Sequence, residues 1–194
     1  DDLVDSLDYA ELHKIFTYYS HPMSDIISKV NRPSQNLIAE ILQKTMGAEY
    51  GEEGSSREGR KVQMMFFDSL GMNIENLRLR DGSGLSRHNL VSPNTTVSLL
   101  EMMWAHPYRS YFMESLPLSG LTGTIRRRMI GTDAEQNVRA KTGTIGYVSS
   151  LSGYTWTNSG EPIMFSIMAN HFTIPTYQVR GIQDQIANIL SEME

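Results

Sequence analysis

The sequence predicts an α+β layered fold: an antiparallel sheet flanked by helices. Three observations predict it. Between Met23 and Met129 apolar residues recur at helical spacing in several separate runs. From Asn137 the pattern changes to stretches of strand character joined by a turn. Thr176–Met193 then closes the chain as one more amphipathic run.

The elements follow in order. His13–Ser20 (HKIFTYYS) is β-branched and aromatic and predicts a short strand, ended by His21-Pro22. Met23–Val30 has helical spacing. After Asn31-Arg32-Pro33, the run from Ser34 places Leu37, Ile38, Ile41 and Leu42 on one face, and Gly47 reads as its stop. Ala48–Arg57 is a polar, Gly/Ser-rich loop. Glu58–Leu70 predicts a helix with Val62, Met65, Phe66 and Leu70 as its apolar side. Ile74–Arg80 reads as extended, and DGSGLSRHN as a turn-rich loop. Ser92-Pro93 starts a helix through Ala105, with proline where its missing donor does no harm. Shorter helices are predicted over Tyr108–Ser115 and Leu121–Met129. Asn137–Ile145, Tyr147–Trp156 and Pro162–Asn170 read as strands, the last two forming a hairpin across Asn158-Ser159-Gly160. The last helix carries Val179, Ile182, Ile186, Ile189 and Leu190.

Composition bounds the function. The 194 residues carry a net charge of −5, which argues against nucleic acid as a partner. No apolar run is long enough to span a bilayer. The opening DDLVDSLDYAEL is acidic and amphipathic, unlike a signal peptide, and a start without Met suggests a processed or trimmed chain. With no cysteine, thiol catalysis and thiolate metal sites are excluded. The five histidines are scattered without HxH or HxxxH spacing, so no metal site and no cofactor is expected.

Two short motifs carry chemistry. Lys141-Thr142-Gly143 heads a strand, where an unpaired ammonium is costly unless it is solvated or meets an anion. Ser34-Gln35-Asn36 lies at the start of a helix, where a serine is ordinary. Each is weak alone. In serine β-lactamases and penicillin-binding proteins, however, a Ser-x-x-Lys, a Ser-Asp-Asn type motif and a Lys-Thr-Gly occur together. Here the second and third stand in that order, and the Lys-Thr-Gly strand is followed by a hairpin.

The resemblance extends further. DGSGLSR at Asp81–Arg87, then His88-Asn89-Leu90 and the Ser92-Pro93 helix start, resembles one branch of those proteins. That branch is the D-alanyl-D-alanine carboxypeptidase/endopeptidase family of class C low-molecular-mass penicillin-binding proteins, peptidase family S13. PLSGLTGTIRRRM and AKTGTIGYVSSLSGY resemble its lead-in to, and passage through, the third motif. The likeness runs from about His13 to the end.

The resemblance implies a serine β-lactamase/penicillin-binding transpeptidase-like fold and acyl transfer through a serine acyl-enzyme. It implies peptidoglycan stem peptides ending in D-Ala-D-Ala as substrates, β-lactams as ligands, and a periplasmic or extracytoplasmic location. Ser34 would relay a proton to the leaving amine, and Asn36 would face the acyl side of the substrate. Lys141 would supply positive potential, and Thr142 would bind the substrate's terminal carboxylate. Gly143 would leave room for the substrate backbone, and the Thr144 N–H would form half of an oxyanion hole. Asp81 and Ser83 would line the cleft rim. Read as structure instead, Asp81 caps a tight turn that Gly82 and Gly84 permit, which is the stronger reading. Arg87 could pair with Asp81 or with substrate. Arg126-Arg127-Arg128 reads as a solvated face, and Trp104 and Trp156 as packing residues.

No Ser-x-x-Lys is present. In the family the nucleophile precedes large insertions. Residues 1–194 are therefore expected to be one segment, the C-terminal part of the catalytic domain, lacking the N-terminal strands and the nucleophile helix and inactive alone. A non-catalytic peptidoglycan-binding or scaffold module of the same fold is the alternative. A sheet missing its N-terminal strands leaves an edge exposed. The expected outcomes are a homodimer through that surface or rearrangement of the N-terminal segment to cover it.

Overall fold

A computed structural model describes residues 12–194. Most of the acidic opening stretch lies outside the described residues. The elements are α1 (Met23–Asn31), α2 (Asn36–Tyr50), α3 (Ser56–Ser69), α4 (Pro93–Ala105), α5 (Arg109–Ser115), β1 (Arg139–Ile145), β2 (Val148–Trp156), β3 (Pro162–Asn170) and α6 (Thr176–Glu192). The strands form one antiparallel sheet in the order β1-β2-β3.

The sheet is the centre of a three-layer sandwich. β2 lies between the other strands and buries side chains on both faces. Leu151 faces α6 and packs with Ala140, Val138, Ile125, Phe165 and Ala187. Tyr154, three residues on, faces α4 and packs with Leu100, Leu116, Trp104, Phe112 and Trp156. This is the period-two alternation of a strand covered on both sides. The β2–β3 hairpin turns where expected, with Gly160 at φ 86 supplying the left-handed residue. Trp104 and Trp156 are packing residues, as their sequence context indicates.

Helix starts follow local chemistry. Ser92 caps α4 by accepting from the Thr95 N–H at 3.1 Å. Ser55 caps α3 by accepting from Glu58 N–H at 3.2 Å, while its own N–H goes to the Glu53 carbonyl at 2.8 Å.

Several expectations are corrected. His13–Ser20 forms no strand; Ile15 is 92% exposed and no ladder partner lies beside the segment. A strand gains its backbone bonds from a neighbour, so β-propensity alone cannot form one. The segment does not cover the sheet edge either. Leu121–Met129 is not an α-helix but a short 3₁₀ turn at Gly123–Ile125 followed by turns, because Gly120, Gly123 and Met129 all take positive φ. Ile74–Arg80 forms no strand: it turns at Glu75-Asn76 and makes one bridge, from Arg78 to Leu90. Gly47 does not end α2. A Cβ there would sit 2.8 Å from Gly59 N, and one on Gly59 would collide with the Gln43 carbonyl. These glycines let α2 and α3 approach closely rather than stopping a helix.

The apolar faces read from periodicity are only partly buried. Leu37 on α2, Met65 and Phe66 on α3, and Ile182 and Ile189 on α6 are exposed. The buried ridge of α6 is instead Val179, Gln183, Ala187 and Ser191, one residue per turn. The free side of β3 takes no backbone partner among the described residues.

Candidate active site

Ser34 lies just before α2, not within its first turn. Gln35 is the cap, and Ser34 takes φ 60. A non-glycine residue in that region is strained unless its surroundings hold it there. The surroundings here are specific. Asn31 Nδ2 donates to Ser115 Oγ at 2.7 Å, and Arg32 donates twice to the Glu114 carbonyl, at 3.1 and 2.5 Å. The Gln35 N–H returns to the Val30 carbonyl at 2.9 Å. The α1–α2 junction is thereby tied to the end of α5.

Lys141 meets this junction from the sheet. Its Nζ donates to Ser34 Oγ at 2.6 Å and to the Thr142 carbonyl at 2.9 Å. Burial lowers its pKa from the ordinary value, and among the described residues it forms no ion pair. The lysine is thus neither a solvated edge residue nor an ion-pair partner.

β1 is an edge strand. The Ala140 N–H donates to the Pro117 carbonyl at 3.0 Å, away from β2. By the two-residue period, the N–H groups of Thr142 and Thr144 point to the same open side. Their side chains share the α6 face. Thr142 Oγ1 donates to Thr124 Oγ1 at 2.8 Å, and Arg180 Nη2 donates to Thr144 Oγ1 at 3.2 Å. Gly143 is required by the sheet as well, since a Cβ would sit 2.5 Å from Ser150 Oγ on β2.

The DGSG loop closes the cleft from the third side. Asp81 is its organiser: the carboxylate accepts from Gly84 N–H at 2.8 Å, Ser86 N–H at 2.6 Å and Asn89 Nδ2 at 2.8 Å. Asp81 does not line the cleft, whereas Ser83, Gly84 and Leu85 do. The structural reading of Asp81 therefore holds over the rim reading. Gly82 presses on α2, where a Cβ would collide with the Ala39 carbonyl. The Ser83 N–H donates to Glu40 Oε1 at 2.9 Å. Burial works to raise the Glu40 pKa, but hydrogen bonds from Ser83 and Gly82 outweigh it and hold the carboxyl below its usual value. Arg87 forms no ion pair with Asp81; its Nη2 would lie 2.9 Å from a Cβ on Gly146.

These elements enclose a cleft of about 600 Å³ lined by Ser34, Asn36, Ser83, Lys141, Thr142, Gly143 and Thr144, among others. Asp81 apart, the residues singled out from sequence are all brought to one place. Sequence reasoning missed Glu40, Thr124, Arg128 and Arg180. The basic run around Arg128 reads as a solvated face, yet the Arg128 guanidinium is held 2.8 Å from Asp184 Oδ1 and lines the cleft. No periodicity marks these residues, because their role depends on which turn of which helix reaches the sheet edge. Among the described residues no group of three His, Asp or Glu could hold a metal ion.

The arrangement can bind an extended peptide along β1. A lysine donor and a serine hydroxyl stand on one side of that edge, and threonine hydroxyls and a guanidinium on the other. The family described as D-Ala-D-Ala carboxypeptidase 3 (S13) matches residues 8–193. The chain is 37% identical over 190 residues to a D-alanyl-D-alanine carboxypeptidase of Actinomadura sp. (strain R39), covering 95% of this chain and 35% of the relative. It is 33% identical over 159 residues to the D-alanyl-D-alanine carboxypeptidase DacB of Haemophilus influenzae, covering 80% of this chain and 33% of the relative. The crystal structure of penicillin binding protein 4 from Haemophilus influenzae, in complex with a β-lactam, superposes with a TM-score of 0.82 at 30% identity, covering 88% of this chain and 42% of that one. The TLA-3 extended-spectrum β-lactamase shares the fold, with a TM-score of 0.61 at 18% identity over 84% of this chain and 61% of that one. The chain spans about a third of the length of the curated relatives it matches.

Proposed function

The chain belongs to the D-Ala-D-Ala carboxypeptidase (S13) family, with the α+β fold of penicillin-binding proteins and β-lactamases, and from that premise we propose that it forms one wall of a serine DD-peptidase active site. The substrates are peptidoglycan stem peptides ending in D-Ala-D-Ala, and β-lactams occupy the same cleft. The nucleophilic serine and its lysine come from a part of the protein outside these 194 residues, so the isolated chain is inactive. The setting is periplasmic or otherwise extracytoplasmic.

The observation that carries this reading is the 2.6 Å bond between Lys141 Nζ and Ser34 Oγ at the open edge of β1. The external serine oxygen attacks the carbonyl of the penultimate D-Ala, forming an ester and expelling the terminal D-Ala amine. The attacking serine gives its proton to its own lysine, while Ser34 passes its proton to the leaving amine and takes another from Lys141 Nζ, which donates to it. Asn36 orients the acyl side. The Thr144 N–H, on the open side of the strand, meets the developing oxyanion. Water then hydrolyses the ester and restores the serine.

The exposed apolar residues of α2, α3 and α6 and the free β3 edge support the view that more protein covers this chain. Alone, the chain pairs with a second copy through that surface, which sedimentation at rising concentration detects.

Intact mass after incubation with benzylpenicillin tests the main reading. The longer protein carrying this chain gains one adduct and the isolated chain gains none. An adduct on the isolated chain would place the nucleophile here and overturn the assignment. No adduct on either would favour a non-catalytic peptidoglycan-binding module.

A further inference from the structure

The protein carries a net charge of −5, yet among the described residues its cleft is lined by three cations, Lys141, Arg128 and Arg180, and by no carboxylate. The three are not equivalent. Arg128 is neutralised: Nε and Nη2 both meet Asp184 Oδ1 at 2.8 Å, and Nη2 also reaches the Arg180 carbonyl at 3.2 Å. Lys141 is taken up by Ser34 and the Thr142 carbonyl on the α2 face. The Arg180 side chain is exposed and, among the described residues, has no acidic partner and makes one hydrogen bond, to Thr144 Oγ1 at 3.2 Å. A guanidinium has five donors in a planar fork suited to a carboxylate.

Its placement is fixed at both ends. The backbone under Arg180 is held by Arg128, whose other partner, Asp184, lies one helical turn further along α6. The side-chain tip is held by Thr144, two residues along β1 from Thr142 and on the same face. A carboxylate arriving at the Thr142–Thr144 hydroxyls would find there the one cleft guanidinium that has no carboxylate partner among the described residues.

We propose that Arg180 is the specificity-determining residue for a free C-terminal carboxylate. It engages that group together with Thr142 and Thr144, and so favours the terminal D-Ala-D-Ala bond over the same bond with its C-terminus blocked. The proposal rests on the DD-peptidase reading. It deepens that reading by naming the group that sets the balance between carboxypeptidase and endopeptidase cleavage.

The test uses the longer protein carrying this chain and two probes, an Nα,Nε-diacetyl-Lys-D-Ala-D-Ala peptide and its C-terminal amide. For Arg180→Gln, KM for the free acid rises about ten- to a hundred-fold, the scale of one lost charge-assisted hydrogen bond. Hydrolysis of the amide falls far less than that of the acid, so the acid-over-amide ratio of kcat/KM drops about ten-fold or more, and Arg180→Lys restores part of that ratio. Equal losses on acid and amide would show that Arg180 only props Thr144, and would overturn the proposal. So would an unchanged ratio. A wild-type protein that cleaves neither peptide and takes no benzylpenicillin adduct would overturn the DD-peptidase reading itself, and the Arg180 assignment with it.

Discussion

Ser34 and Lys141, 107 residues apart in the chain, meet at 2.6 Å, and Ser34 is held in the left-handed region to make that contact. The strained serine and the desolvated lysine hold one another. Each feature would be unfavourable alone.

This strain is separable from the hydrogen bond. Ser34→Gly and Ser34→Ala both remove the hydroxyl, but only glycine accepts φ 60 without cost. Ser34→Gly is expected to be more stable than Ser34→Ala by about 1 kcal/mol. Urea unfolding of the two variants measures the gap, and equal stabilities would show that the junction relaxes.

Lys141 makes stability depend on pH. Its folded pKa lies below the ordinary 10.5, because burial disfavours the ammonium. Between the folded value and 10.5 the unfolded chain holds a proton that the folded chain has released. Stability contributed by this group therefore rises with pH across that window. Wild type should gain on Lys141→Met as the pH climbs toward 10.5. A pH-independent difference between the two in chemical denaturation would contradict this.

Tyr154 acts in the opposite sense. Its hydroxyl is buried, donates to the Leu100 carbonyl at 2.8 Å, and has a pKa raised from 10.0 to about 12. The folded protein keeps this proton longer, so its contribution is complete below pH 10.0 and lost as the pH rises toward about 12. Tyr154→Phe is expected to cost about 1 kcal/mol at neutral pH. The variant should also lose less stability than wild type in that alkaline range, which paired alkaline denaturation series reveal.

Gly82 and Gly84 are both in the DGSG loop but serve different needs. A Cβ at Gly82 collides with the Ala39 carbonyl, while one at Gly84 meets nothing within 4 Å but φ is 76. Gly82→Ala should push the loop off α2, cost about 1–3 kcal/mol, and break the Ser83–Glu40 bond. Faster amide exchange at Ser83 reports that displacement. Gly84→Ala should lose about 1 kcal/mol with Ser83 protection retained.

The α4 start, the β2–β3 hairpin and the strand that carries Lys141, which stands third in β1 rather than at its head, could be read from the chain because each depends on neighbours a few residues away. Ser92 with Pro93, Asn158-Ser159-Gly160, and the apolar run after Lys141 are local signals. The sequence by itself therefore determined the α+β class and the motif residues Ser34, Asn36, Lys141 and Thr142. Only the tertiary structure decided the rest. It left His13–Ser20 without a strand, since a ladder needs a partner. It turned Gly47 from a helix stop into a contact with Gly59. It made Asp81 a loop organiser rather than a cleft residue, and brought Arg128 and Arg180 to the cleft. Those outcomes rest on distances between elements remote in the chain, which no short-range pattern of polarity encodes.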